Sequence, residues 1–149
     1  MMTSYRQILY HIVFRTKNGE NTLSQDNIRD LYSYINGYFR KKKCHLYRIN
    51  GTENHIHLLC EIHPSMAIAD FMRELKVSTS LWLKQSRYFT AFEGWAEGYA
   101  VLTYAYRDKD MILNYIKNQQ SHHQLISFEE EYKNLLEEAG VLIDKRYFP

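Results

Sequence analysis

His55-Ile56-His57 sets two imidazoles on either side of one bulky apolar residue, and Leu58-Leu59-Cys60-Glu61-Ile62 continues the run. In an extended strand, side chains alternate faces with a period of two. His55, His57, Leu59 and Glu61 therefore share one face, while Ile56, Leu58, Cys60 and Ile62 share the other, which reads as core. Two imidazoles side by side on a strand can bind one divalent metal ion. A second set of reactive groups lies downstream in Met111-Ile112-Leu113-Asn114-Tyr115-Ile116-Lys117-Asn118-Gln119-Gln120. Tyr115 and Gln119 are four apart, hence neighbours on one helix face, and His122 continues that face. A phenol and an amide so placed could approach one metal ion together. The amide oxygen would ligate, and the phenolic oxygen would attack a phosphorus activated by the ion.

The chemistry needs both halves. A DNA phosphodiester is anionic and repels nucleophiles, and a tyrosine of pKa about 10 is a weak one while protonated. A divalent cation offsets the phosphate charge, polarises it and favours the phenolate. Two imidazoles and one amide oxygen fill only part of a coordination sphere, which leaves positions for phosphate oxygens or water. Judged on ligand softness alone, imidazoles favour Mn²⁺ over Mg²⁺. Each residue also has a bland reading. A His-x-His pair can face solvent, Tyr115 is one of 13 tyrosines, and His122 and His123 suit the negative end of a helix dipole. It is the joint pattern that points to a site.

The elements that must position these groups follow from periodicity. Residues 5–15 are rich in β-branched and aromatic side chains and predict a first strand. A loop over 16–23 contains Asn18-Gly19, and Ser24 is a plausible cap for a helix in which Ile28, Leu31, Tyr32, Ile35 and Phe39 form the apolar stripe. Lys41-Lys42-Lys43 closes that helix. Residues 44–50 predict a second strand, joined through a tight connection at 51–53 to the histidine strand. Pro64-Ser65 ends the latter, and residues 67–88 predict a second long helix with Ile68, Phe71, Met72, Leu75, Thr79 and Trp82 inward. A fourth strand over 98–106 leads to a third helix, capped by Asp108 or Asp110 and running through His122 or His123. Ser127 caps a fourth over 128–139, with a capping-box-like Ser127…Glu130 pair, and Gly140 ends it. The order β-α-β-β-α-β plus two helices predicts an α+β, ferredoxin-like (RRM-like) antiparallel sheet with two helices on one face. In that arrangement the histidine strand is central, and its other face is an accessible platform.

Composition bounds the classes. At 149 residues, one domain spanning 1–149 is expected, long enough for a hydrophobic core. Hydrophobic residues at 45% and charged residues at 24% argue against disorder. A net charge of +2 neither demands nor forbids nucleic acid, so binding would need a local patch or a metal. Cys44 and Cys60 lack CxxC spacing, and neither a leader nor a long apolar run is seen, so a reduced cytoplasmic setting without membrane contact is expected. There is no Walker loop, HExxH or Ser-His-Asp cue. Arg15, Lys17, Arg73 and Lys76 are the cations read as phosphate-facing.

His55-Ile56-His57 is a His-hydrophobic-His (HUH) motif, and Tyr115-Ile116-Lys117-Asn118-Gln119 resembles the tyrosine helix of single-tyrosine HUH transposases of the insertion-sequence 200/605 type, including relatives associated with repeated palindromes. The likeness extends to Tyr10-His11-Ile12-Val13-Phe14-Arg15-Thr16-Lys17, Trp95-Ala96-Glu97-Gly98-Tyr99, His122-His123, Ser127-Phe128-Glu129-Glu130-Glu131-Tyr132 and the tail Asp144-Lys145-Arg146-Tyr147. The resemblance implies a homodimeric enzyme that cuts single-stranded DNA near hairpins at element ends, with Mg²⁺ or Mn²⁺ and no nucleotide cofactor. The tyrosine would become joined to the 5′-phosphate, leaving a 3′-OH that later reseals the strand. By motif match, His55, His57 and Gln119 would be metal ligands and Tyr115 the nucleophile, with a site that two subunits can share. Asn54 stands where relatives often have Asp, so a carboxylate behind the first histidine would be missing. The alternatives are a domesticated palindrome-cutting relative and a non-catalytic RRM-like single-strand binder whose sheet aromatics stack on bases.

Overall fold

The computed structural model describes residues 4–149. Strands β1 (Leu9–Arg15), β2 (His45–Gly51), β3 (His55–Glu61) and β4 (Ala100–Tyr104) form one antiparallel sheet in the order β2-β3-β1-β4. β3 is an inner strand, as the split arrangement requires. Helices α1 (Ile28–Lys41) and α2 (Ile68–Gln85) cover one face. There Ile12, Phe14, Ile56, Leu58 and Cys60 of the sheet pack with Leu31, Ile35, Phe39, Phe71, Met72 and Leu75 of the helices. The predicted stripes supply these contacts, and the α+β, ferredoxin-like class holds.

The other face is not an open platform. Helix α3 (Lys109–Lys117) lays Ile112 and Ile116 over Leu9 and Leu59, and helix α5 (Phe128–Glu138) lays Phe128 over Val13 and Ala100. The physical reason is the composition of that face. Leu9, Val13 and Leu59 alternate with the histidines, and leaving such side chains in water costs about 1.5–3 kcal/mol each. The two added helices remove that cost and bury the site.

Local structure departs from the periodicity reading at several places: β4 is shorter than the expected 98–106, α2 ends at Gln85 rather than residue 88, and three further departures bear on the frame of the site. β1 starts at Leu9 rather than residue 5, because Leu9 is the first residue with a ladder partner, Tyr104. Ser24 leads only into a short 3₁₀ turn, Gln25–Asn27, and makes no side-chain cap, so α1 starts at Ile28. The expected single third helix is broken at Asn118, and α4 (Gln119–His122) resumes after it. The break has a partner across the molecule. Asn50 on β2 donates its amide N–H to the carbonyls of Ile116 (3.0 Å) and Lys117 (3.1 Å) at the end of α3. The α5 cap is as predicted, with Ser127 Oγ accepting from the Glu130 N–H at 3.2 Å.

One glycine fixes where the histidine strand begins. A Cβ at Gly51 would lie 2.1 Å from the His55 carbonyl oxygen, so only glycine lets β2 turn this tightly into β3. Among the described residues, no helix is long and apolar enough to cross a membrane.

Candidate metal and tyrosine site

The β1–β3 register places His11, Val13 and Arg15 opposite Leu59, His57 and His55 respectively. By the period-two rule all six side chains share the face under α3 and α5. His55, His57 and Gln119 are fully buried there, and Tyr115 is partly buried with its ring 5.9 Å from that of His57. One chain alone therefore brings together the histidine pair, Gln119 and Tyr115. At their centre stands Glu131 of α5, itself buried.

Glu131 connects the two halves, one oxygen to each. Its Oε1 lies 3.2 Å from His57 Nε2, 3.5 Å from His55 Nε2 and 2.8 Å from His123 Nε2. Its Oε2 accepts from the Tyr115 hydroxyl and, at 2.9 Å, from the Gln119 amide N–H. The ligand atoms of His55, His57 and Glu131 all lie within 4.8 Å of one another.

Outer partners turn both histidines inward. Asn54 donates its amide N–H to the Gly19 carbonyl at 3.4 Å, which leaves Asn54 Oδ1 to accept from His55 Nδ1–H at 2.8 Å. His55 Nε2, on the other side of the ring, faces Gln119 Oε1 at 3.0 Å as well as the carboxylate. The Gln119 amide nitrogen is already engaged with Glu131, so its oxygen is fixed toward His55. His55 Nε2, Gln119 Oε1 and Glu131 Oε1 thus converge on one buried point, a donor set that suits a cation. His57 Nδ1 meets His11 Nε2 at 2.8 Å, the stacked His11 ring lying 5.0 Å away. Such second partners orient metal-binding imidazoles and fix their tautomers. The hydrogen-bonding part of the carboxylate role expected to be missing at residue 54 is thus filled by the amide oxygen of Asn54.

Electrostatics agree with this donor set. Burial pushes His57 down to about 4, against partial opposition from Glu131, and burial with the neighbouring His57 pushes His11 down to about 3. Both are neutral near pH 7, the state in which imidazole ligates. Burial alone would raise the Glu131 carboxyl, but the imidazoles of His123, His55 and His57 around it hold it well below the usual carboxylate range. Tyr115 is pushed up, by burial first and then by the Glu131 charge and hydrogen bond, so it stands as a phenol. Two imidazole nitrogens, an amide oxygen and a carboxylate suit a divalent cation.

The predicted cations fare differently. Arg15 reaches the Pro149 carbonyl (2.6 Å) and Glu129 (3.7 Å) beside the site. Lys76 donates to the Ala96 and Gly98 carbonyls and secures the loop before β4, and burial lowers its pKa. Arg73 pairs with Asp70 on α2, which packs on the opposite face of the sheet. Lys17 is exposed at the loop after β1. None of the four joins the cluster.

Three residues of the cluster escaped the sequence reading: Glu131, His11 and His123. The last was read, with His122, as a helix-end cation, yet both face Glu131, and His122 Nε2 is buried 3.6 Å from Oε2. For Glu131 a signal existed. The Ser127 cap sets the register of α5, and Glu131 then falls on its apolar stripe with Phe128 and Leu135, where an unpaired carboxylate is costly.

The profile of the family described as "Transposase IS200 like" matches residues 4–119. The chain belongs to the IS200-like transposase family. It is 31% identical over 115 residues to the transposase for insertion sequence element IS200 of Salmonella typhimurium, covering 74% of this chain and 75% of that one; the Salmonella typhi counterpart matches equally. Among solved structures, a Deinococcus radiodurans protein assigned as a transposase superposes with a TM-score of 0.58 at 24% identity, over 80% of this chain and 96% of that one. A REP-associated tyrosine transposase bound to a REP hairpin gives 0.62 at 14% identity, over 84% and 76%. These likenesses carry the fold. His55, His57, Tyr115 and Gln119 lie inside the family match, whereas His122, His123 and Glu131 lie beyond it.

Proposed function

We propose that this IS200-like transposase cleaves and rejoins single-stranded DNA through a covalent 5′-phosphotyrosine at Tyr115, with a divalent metal ion held by His55, His57 and Gln119 and, in addition, by Glu131 Oε1. The observation that carries the reading is the convergence of His55 Nε2, Gln119 Oε1 and Glu131 on one buried point beside the Tyr115 hydroxyl. When bound, the metal ion would neutralise and polarise the phosphate. Mn²⁺ and Mg²⁺ both fit, since the two oxygen donors offset the imidazole preference for the softer ion.

The protein's own groups then divide the work. Tyr115 Oη forms a bond to phosphorus as the P–O3′ bond breaks; Glu131 Oε2 accepts the phenol's hydrogen bond and orients it for attack, and the proton is released to water as the bond forms. The departing 3′ oxygen takes a proton from water and leaves as a free 3′-OH. Rejoining runs in reverse: a 3′-OH attacks phosphorus and gives up its proton to water, the Tyr115–phosphorus bond breaks, and the departing phenolate takes a proton from water. α3 and α5 exclude water from the histidine side of the site, which strengthens each of these interactions.

The hairpin bound by the REP-associated relative supports single-stranded DNA with hairpins as the substrate. A homodimer fits the family reading, and the meeting of the histidines and Tyr115 within one chain supports a site completed in cis. The stacking-platform alternative loses ground, because the sheet face it requires lies under α3 and α5.

The test incubates the protein and labelled single-stranded DNA from its own locus with Mn²⁺ or Mg²⁺. A covalent protein–DNA species is expected with the wild type, absent with Tyr115→Phe and with His57→Ala. An adduct that survives Tyr115→Phe refutes the nucleophile, and one that survives His57→Ala refutes the metal site.

A further inference from the structure

A polar cleft of about 450 Å³ opens against the outer side of the metal site and has no part in the chemistry described above. It shares walls with that site. Asn54 and Thr52 line it while holding His55 Nδ1, and His123 lines it while bonding Glu131. Its volume lies within the range of small-ligand sites. None of its lining residues is Lys or Arg, and Glu53 and Glu129 stand exposed on its rim. Arg15 lies 3.7 Å from Glu129 and offsets that carboxylate, while Glu53 adds a negative charge that no cation of the lining offsets, so the charge of the cleft disfavours a nucleic-acid backbone. A neutral group is what fits.

The lining also reads as a recognition surface for a flat heteroaromatic. The side chains of Gln25, Asn54 and Gln120 are committed to contacts with Leu23, His55 and Gly51, and they form a fixed wall. Asn21, before α1, and Gln124, between α4 and α5, are exposed residues of the lining. Each amide offers both a donor and an acceptor, the pair of functions that distinguishes nucleobase edges. Ile126 and Phe128 supply an apolar flank.

We propose that this cleft is a nucleobase subsite. It takes the unpaired base of a nucleotide adjoining the phosphate held at Tyr115, and Asn21 and Gln124 read the edge of that base. The subsite rests on the single-stranded DNA reading given above. It adds a specificity that comes from protein side chains at the mouth of the site.

The test uses a single-stranded library that carries a hairpin from the flanks of the coding gene and is randomised on both sides of it. The library is incubated with Mn²⁺, and covalent adducts are captured and sequenced. With the wild type, one position next to the cleaved phosphate should be enriched for one base by roughly tenfold, the discrimination expected of paired donor–acceptor contacts. In the Asn21→Ala/Gln124→Ala double variant that enrichment should fall toward parity, while preferences at other positions persist. Gln124→Glu, which exchanges a donor for an acceptor, should move the preference toward a base with an exocyclic amine at that edge. Thermal melting with and without Mn²⁺ shows that each variant is folded and binds metal. Adducts with uniform composition beside the cleaved phosphate overturn the subsite alone. So do folded variants that keep the wild-type preference. A wild type that forms no adduct with any library member overturns the parent reading and the subsite with it.

Discussion

Without metal, the site should make the fold acid-labile in a window set by two buried histidines. His57 is held at about 4 and His11 at about 3, against 6.5 for both in the unfolded chain. The sign follows from which state binds protons first. Below pH 6.5 the unfolded chain takes up protons that the folded chain refuses, so stability is fully present above 6.5 and is lost as pH falls toward the folded values. Each histidine forfeits about 1.36 kcal/mol per pH unit across that window. Between pH 7.5 and 5 the loss is about 2 kcal/mol per histidine, and about 4 kcal/mol for the two. That is a large part of the roughly 5–15 kcal/mol that stabilises an ordinary domain. Glu131 has a depressed value, so its contribution is present above about pH 4.5 and is lost only below it, outside this window. Urea unfolding in EDTA at pH 7.5, 6.5, 5.5 and 5.0 measures the slope directly. His11→Asn, which keeps a hydrogen-bonding group toward His57, should remove about half of it. A flat stability between pH 7.5 and 5 would refute the claim that these imidazoles are buried neutral.

Other perturbations probe separate parts of the site. Mn²⁺ at a hundredfold excess over its dissociation constant should stabilise the wild type by about 2.7 kcal/mol, seen as a rise in melting temperature, and Glu131→Gln should lose most of that rise. Asn54→Ala removes the acceptor behind His55 Nδ1 and should weaken Mn²⁺ binding by about 10–100-fold in a titration; Asn54→Asp should tighten it. Gly51→Ala forces a methyl against the His55 carbonyl and should cost about 1–3 kcal/mol in denaturant unfolding, together with loss of strand cleavage.

How much of this was legible depended on whether a relation was local. The alternation that turned His55 and His57 to one face needed only a strand, and the four-residue spacing of Tyr115 and Gln119 survived even the break at Asn118, because α4 resumes at Gln119. The break itself could not be read, since the group that caps α3 is Asn50, on another strand. His11 failed for a related reason. Its alternation parity was visible, but its place beside His57 depends on the β1–β3 register, which no local pattern sets. Glu131 required the packing of α5 over β1, a contact between distant segments. The same packing turned a supposed open platform into a buried site. The apolar members of that face, Leu9, Val13 and Leu59, were the available warning that something must cover it.

The central claim is that Tyr115 alone among 13 tyrosines carries the DNA in the intermediate. Digestion of the Mn²⁺-dependent adduct followed by peptide mass spectrometry tests it most directly. The nucleotide phosphate should be found on the peptide containing Tyr115, at its phenolic oxygen, and Tyr115→Phe should yield no modified peptide. A phosphate mapped to any other residue, or an adduct of unchanged yield in Tyr115→Phe, would contradict the account.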